Sequence, residues 1–184
     1  MPFPAAVAIC EDDLRLDQTF LKAFAGDAVD LRVTPVRGGT LHTKTVRLVA
    51  RQLEAMRNAG IAVNAVVVHH DVDRSSLAHR RAEIEKWFDD GTLCKQGFSL
   101  VICTPDPCLE RWLCMCEGTQ TRVKGGKPSA GCDPWKALWN KGKGIPLDRV
   151  RDAASRARVA LRGQPDFDRF YEDWKSAGLE KGQS

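Results

Sequence analysis

The 184-residue sequence lacks any apolar run close to the ~20 residues that a membrane-spanning helix needs. Its first residues, MPFPAAVAIC, lack the basic stretch that precedes the apolar core of a secretory signal. No internal repeat is present, and a chain of this length is expected to form one domain with an appendage. We therefore expect a cytoplasmic protein that does not engage a membrane.

Cysteine is present, but not in the pattern of a disulfide framework. The count of seven is odd, and several of these residues lie inside apolar segments. Because no secretory signal accompanies them, we expect reduced thiols.

Four short apolar segments divide the first hundred residues, and they are rich in Val, Ile and Ala. They span residues 5–10, 29–36, 61–70 and 99–105. Three of them are nearly continuous, which is typical of strands covered on both faces. Helical spacing of apolar residues lies between them, so the sequence predicts an α/β fold with a four-stranded parallel sheet flanked by helices.

The segment after Pro105 has no further long apolar strand and reads as helices and a loop. Its last helical pattern carries an aromatic stripe at spacings of three and four residues: Phe167, Phe170, Tyr171 and Trp174. Such a stripe is typical of a buried face, so we expect it to dock the tail on the sheet. The predicted division is an α/β domain at 1–118 and a loop with an α-helical C-terminal extension at 119–184.

Acidic residues follow the predicted strands, at the end of a parallel sheet where ligands bind. Glu11 follows the first strand, Asp71 and Asp73 follow the third within AVVVHHDVDR, and Glu110 begins the helix after the fourth. An oxygen cluster of this kind suits Mg²⁺ or Mn²⁺, and two such ions could clamp an in-line displacement at phosphorus.

Each of these residues also has a simpler interpretation. An aspartate after a strand is typical of a turn or a helix cap. His69 and His70 are either metal ligands or packed side chains at the end of the strand.

Basic residues supply candidate contacts to phosphate groups or nucleic acid. Residues 1–120 hold 14 Lys and Arg against 16 Asp and Glu, whereas residues 121–184 hold 14 against 8, so the basic half could face a polyanion. The loop VRGGTLHTKT has glycines that let a phosphate approach, but it is not a Walker A sequence, and a turn with solvated cations explains it equally well. The candidates are Arg37, Gly38, Gly39, Lys44, Arg74, Lys124 and Lys127.

The order of the acidic motifs resembles that of the Toprim domain, which topoisomerases, primases and overcoming-lysogenization-defect nucleases share. The family pattern is a glutamate after the first strand and D-x-D after the third, here Glu11 and Asp71-Val72-Asp73. More narrowly, the chain is similar to small stand-alone Toprim proteins encoded beside ATPases in bacterial defence and restriction-linked operons. The motifs that carry this likeness are FL at 20–21, the glycines at 38–39, DVDR, PCLERW and FDRF.

The resemblance implies a Toprim-like fold and a nuclease that depends on Mg²⁺ or Mn²⁺. In that reading Glu11, Asp71 and Asp73 hold one ion, and Glu110, with Asp13 or Asp17, assists a second ion or orients the water. It also implies nucleic acid and an ATPase as partners, and a role in antiviral defence.

Two alternatives remain at this level. The first is a Toprim-like interaction subunit with a degenerate site, which binds an ATPase or nucleic acid. The second is a phospho-receiver domain, because VAICEDDLRLDQTFLKAF resembles a receiver's opening, although Asp71 lacks the Met-Pro turn that follows a receiver's acceptor. DNA or RNA, the mode of cleavage and the oligomeric state stay open.

Overall fold

The computed structural model describes residues 3–10, 15–36, 41–73, 75–89, 97–106, 108–118, 123–124, 127–128 and 146–180, with the backbone alone at 41–44, 123–124 and 127–128. In the first hundred residues and a little beyond, strands and helices alternate. These elements are β1 (Ala5–Cys10), α1 (Leu16–Ala25), a 3-10 turn (Gly26–Ala28), β2 (Asp30–Pro35), α2 (Leu41–Asn58), β3 (Val63–His69), α3 (Leu77–Asp89), β4 (Ser99–Cys103) and α4 (Leu109–Cys116). A short hairpin of two strands with two residues each, β5 (Val123–Lys124) and β6 (Lys127–Pro128), precedes α5 (Leu147–Ala160) and α6 (Pro165–Ser176).

The four long strands form one parallel sheet in the order β2-β1-β3-β4. The predicted α/β class, with a four-stranded parallel sheet, flanking helices and a helical C-terminal segment, is therefore confirmed. The chain places β2 on one side of β1 and β3 on the other, so the strand order reverses between β1 and β3. In open parallel sheets this reversal point, at the carboxyl ends of the strands, is where ligands bind. We call this end of the sheet the carboxyl edge.

Both faces of the sheet are covered, as the continuous apolar strands predict, but the two faces differ in side-chain size. Small residues such as Ala6, Ala8 and Ala65 face α1, α4, α5 and α6. Branched residues such as Ile9 and Val68 face α2 and α3. The small side chains leave room on the first face for a layer of large aromatic residues.

The aromatic stripe of α6 packs into that layer, which confirms the predicted docking of the tail. Phe167, Phe170 and Trp174 are each at most 1% exposed. The ring of Phe24 on α1 lies 5.1 Å from both Phe170 and Trp174, measured between centroids. The ring of Trp112 on α4 lies 5.2 Å from Phe167.

The outer edge of β4 is paired with side chains in place of another strand. Asp173 on α6 accepts the backbone N–H of Ile102 at 3.2 Å, and Arg81 on α3 donates to the Ile102 carbonyl at 3.2 Å. Arg81 also donates to Asp173 at 2.8 Å. The ion pair thus satisfies strand groups that would otherwise be open to edge-to-edge association.

The cysteines correct one expectation. Cys10, Cys103, Cys114 and Cys116 are buried free thiols, but Cys108 is disulfide-bonded, so the expectation of reduced thiols throughout is wrong at this position. Disulfide formation depends on two Cβ atoms coming close in space, which sequence spacing does not reveal.

Among the helices that the structure describes, none is both long enough and apolar enough to cross a bilayer.

Candidate functional site

The D-x-D segment is held against the chain that leaves β4. The N–H of His70 donates to the Cys103 carbonyl and that of Val72 to the Pro105 carbonyl, both at 3.0 Å. Val72 is fully buried, while Asp73 is exposed with a φ of 54°, in the left-handed region that aspartate tolerates better than most residues. The apolar middle residue therefore anchors the turn, and the two carboxylates stand on either side of it.

Asp71 faces the first turn of α4. Its Oδ1 atom accepts the N–H of Leu109 at 3.1 Å, and that N–H belongs to the first residue of the helix. Helix N-terminal N–H groups lack partners within the helix and carry partial positive charge, so they favour an anionic group at this place. Glu110 lies in the same helical turn and is 6% exposed.

His69 lies between two carboxylates. Its Nδ1 atom is 3.2 Å from Oδ2 of Asp17 on α1, and its Nε2 atom is 3.8 Å from Oδ1 of Asp71. The side chains of His69 and Asp17 are 1% and 9% exposed, whereas that of Asp71 is 26% exposed. Of the three groups, Asp71 is therefore the one with substantial access to solvent and to a ligand.

Electrostatics make Asp71 unusual among the acidic residues. Burial raises the pKa of Asp71 from 3.8 to about 8, with His69 opposing the rise and the carboxylates of Asp17, Glu110 and Asp73 adding to it. A carboxyl group in this state binds a proton or a cation near neutral pH, because excess negative charge is costly out of water. Strongly perturbed carboxyl groups at a ligand-binding edge are typical of functional sites.

A buried hydroxyl group lies at the end of β4, one residue beyond Cys103. Thr104 is 0% exposed, and its Oγ1 atom has no hydrogen-bond partner within the described residues. Because buried polar groups are nearly always hydrogen-bonded, a partner from outside the described residues is expected for this atom.

The residues that the sequence predicts for the site fall into three groups in the structure. Three of them act electrostatically on a fourth, Asp71: Asp17, Asp73 and Glu110. We call these four residues the acidic cluster. Six fall outside the described residues: Glu11, Asp13, Arg37, Gly38, Gly39 and Arg74. Three have only their backbone described, in α2 and in the β5–β6 hairpin: Lys44, Lys124 and Lys127.

The two histidines have different surroundings. His70 packs with its ring 6.1 Å from that of Trp87, as a strand-end histidine commonly does. His69 instead contacts the acidic cluster. The sequence indicates His69 as a candidate metal ligand. It does not predict the contact of His69 with Asp17, because that contact depends on how α1 lies across β3.

The described ranges do not by themselves contain a complete metal site. Within them, no three side chains of His, Cys, Asp or Glu are arranged to hold one ion. A cation at this edge would thus need a ligand from outside the described ranges, where Glu11 is the predicted one.

Comparisons of the chain with protein-family models, with curated proteins and with solved structures find no match.

Proposed function

We propose that this protein is a metal-dependent phosphodiester hydrolase, a nuclease of Toprim type, that works at the carboxyl edge of its sheet. The observation that carries the proposal is the acidic cluster around Asp71, whose pKa lies at about 8. His69 contacts Asp17 and Asp71, and the carboxylates of Asp73 and Glu110 also act on Asp71. Negative charge concentrated in this way is costly to keep without a cation.

The chemistry of the side chains fits a hard divalent cation. Mg²⁺ and Mn²⁺ prefer carboxylate oxygens, and Asp71 and Asp73 would hold the ion together with Glu11. Once bound, such an ion lowers the pKa of a water molecule and stabilises negative charge on a phosphate.

The other residues of the site would orient these ligands and handle protons. The Leu109 N–H fixes one oxygen of Asp71, and His69 contacts the carboxylates of Asp17 and Asp71 on its two sides. Glu110, buried beside Asp71, is placed to receive a proton from a water or to assist a second ion.

The substrate and partner follow from the motif resemblance. A nucleic acid, DNA or RNA, is the proposed substrate, and an ATPase in a bacterial antiviral defence system is the proposed partner. Around Asp71 the described side chains are mainly acidic, so a phosphate at that point would need a bound cation.

The test is cleavage of end-labelled single- and double-stranded DNA and RNA in Mn²⁺ and then in Mg²⁺. We expect Asp71→Asn to lose at least about a thousandfold in rate, because removing a metal-binding carboxylate removes the ion's contribution to the transition state. The matched control is Asp27→Asn, which changes an exposed aspartate in the 3-10 turn. Near-normal cleavage by Asp71→Asn would overturn the assignment. The absence of both cleavage and Mn²⁺ binding in the wild type would favour the degenerate interaction subunit.

A further inference from the structure

A cationic cleft lies between α1 and α5, on a different face of α1 from Asp17. Its volume is about 370 Å³, and its polar lining consists of Arg15, Gln18, Thr19, Lys22 and Arg151. We call this the α1–α5 cleft. It contains none of the residues that the sequence suggested for phosphate contact.

The charged residues that line the α1–α5 cleft within the described ranges are all positive. In the same ranges neither Arg15 nor Lys22 forms an ion pair. Arg151 pairs with Asp148, but these side chains are 58% and 97% exposed, and such pairs contribute little. Three cations around one concave surface repel one another and are stabilised by an anion.

The other arginines of α5 have different surroundings. Arg149 makes two hydrogen bonds with Glu117, at 2.9 and 2.8 Å, and Arg158 lies 4.3 Å from the centroid of the Phe24 ring. The basic surplus of the C-terminal part is therefore not one uniform solvated face. In the cleft, by contrast, Arg15 and Lys22 come together without a carboxylate partner among the described residues.

One end of the cleft, at Arg15, lies at the start of α1. Arg15 precedes α1, which follows β1, so it stands at the carboxyl edge of the sheet, two residues before the aspartate that contacts His69. Lys22 is seven residues further, or roughly 10 Å along the helix axis. Arg15 has a φ of 67°, in the left-handed region that residues with a Cβ rarely adopt and that is often found at functional sites.

We propose that the α1–α5 cleft binds consecutive phosphate groups of a nucleic-acid strand whose scissile phosphate lies at Asp71. The choice of a nucleic-acid strand as the ligand, instead of a free nucleotide, rests on the proposed function. The length of the cleft supports the choice as well, because its cations are spread along the helix and are not gathered around one phosphate. Arginine and lysine donors to phosphate oxygens would hold the strand without reading its sequence.

Binding without divalent ions tests the cleft independently of catalysis. The probe is a fluorescently labelled single-stranded DNA or RNA oligonucleotide, titrated in EDTA over a range of salt concentrations. For the double variant Arg15→Gln/Lys22→Gln we expect the Kd to rise about tenfold or more. We also expect the dependence of the association constant on salt to become weaker. The magnitude of the slope of log K for association against log salt should fall by about 1.4, since two phosphate contacts are lost and each contributes about 0.7.

The control double variant is Arg162→Gln/Arg169→Gln, which removes the same charge from two exposed arginines outside the cleft. It should keep the salt slope of the wild type. Equal Kd and slope in the wild type and the cleft variant would overturn the proposal. So would a mononucleotide that displaces the oligonucleotide at equal concentration, because the cleft would then be a nucleotide site.

Failure of this inference can be distinguished from failure of the proposed function. If the cleft variant loses binding, the control variant keeps it and the wild type cleaves nothing, strand binding by the cleft is supported and the hydrolase proposal is wrong. If cleavage depends on Asp71 but KM is unchanged in the cleft variant, the hydrolase stands and the cleft does not.

Discussion

Trp112 and Asp166 join the last helix of the chain to the helix that carries the candidate site. The indole N–H of Trp112 donates to Asp166 Oδ2 at 2.6 Å, and the N–H of Asp106 donates to the same oxygen at 2.9 Å. Trp112 belongs to α4, whose first N–H group donates to Asp71. The C-terminal segment is thus part of the support of the carboxyl edge.

Removing this carboxylate should destabilise the protein. Asp166→Ala leaves the buried indole N–H of Trp112 and the partly buried N–H of Asp106 without this acceptor, so we expect the free energy of unfolding to fall by about 1–3 kcal/mol. Denaturant unfolding measures the change. Glu172→Ala on the exposed face of the same helix is the control and should change stability by less than about 0.5 kcal/mol. A loss no larger than the control's would show that the buried carboxylate does not hold α4 and α6 together.

The raised pKa of Asp71 predicts how stability depends on pH in the absence of divalent ions. The folded-state pKa of about 8 lies above the ordinary value of 3.8, so the folded state binds more protons across that interval. The contribution of Asp71 is therefore favourable at low pH and is lost as the pH rises towards 8, by at most about 1.4 kcal/mol per pH unit. Asp71→Asn cannot lose a proton here, so its stability relative to the wild type should increase between pH 5 and pH 8. A difference that stays constant with pH would contradict the raised pKa.

A divalent cation should reverse that loss in the wild type. Cation and proton compete for Asp71, so Mn²⁺ should raise the Tm more at pH 8 than at pH 6. The rise should disappear in Asp71→Asn and persist in Asp27→Asn, which keeps the acidic cluster intact. Thermal unfolding with and without Mn²⁺ measures this directly. An equal rise in both variants would place the cation elsewhere.

The sequence predicts the sheet well because burial on both faces leaves a continuous apolar signature, as in the three valines 66–68. It also predicts that the acidic residues after β3 and on α4 meet, because parallel strands end at one edge. It does not predict the contact of His69 with Asp17, because periodicity shows which face of α1 is buried but not which strand residue lies beneath it. The sequence also does not predict that Lys22 and Arg151 line one cleft, because this depends on how α1 packs against α5.

Thr104 offers a test of whether the carboxyl edge contains a polar ligand. Its hydroxyl group is buried without a partner in the described part of the chain, so Thr104→Val removes a desolvated polar atom and should raise the free energy of unfolding by about 1 kcal/mol. If the hydroxyl contacts a bound substrate, the variant loses activity while it gains stability. Thr34→Val is the matched control, because Thr34 Oγ1 accepts the amide N–H of Gln52 at 3.0 Å and its loss should destabilise. Destabilisation by both substitutions would indicate that Thr104 is hydrogen-bonded within the protein.

The Arg81–Asp173 pair should be worth more than an ordinary surface ion pair, because each partner also bonds the backbone of the edge strand. In a double-mutant cycle with Arg81→Gln and Asp173→Asn, we expect a coupling of about 1–2 kcal/mol. The control cycle uses Arg156 and Asp152, a pair four residues apart on α5 with side chains 51% and 74% exposed, and should give less than about 0.5 kcal/mol. The variant Arg81→Ala/Asp173→Ala, which has no side-chain donor or acceptor at either position, also frees the N–H and carbonyl of Ile102. It should associate as its concentration rises, as sedimentation would show. Equal coupling in the two cycles, with no association, would mean that packing of α6 alone protects the edge of β4.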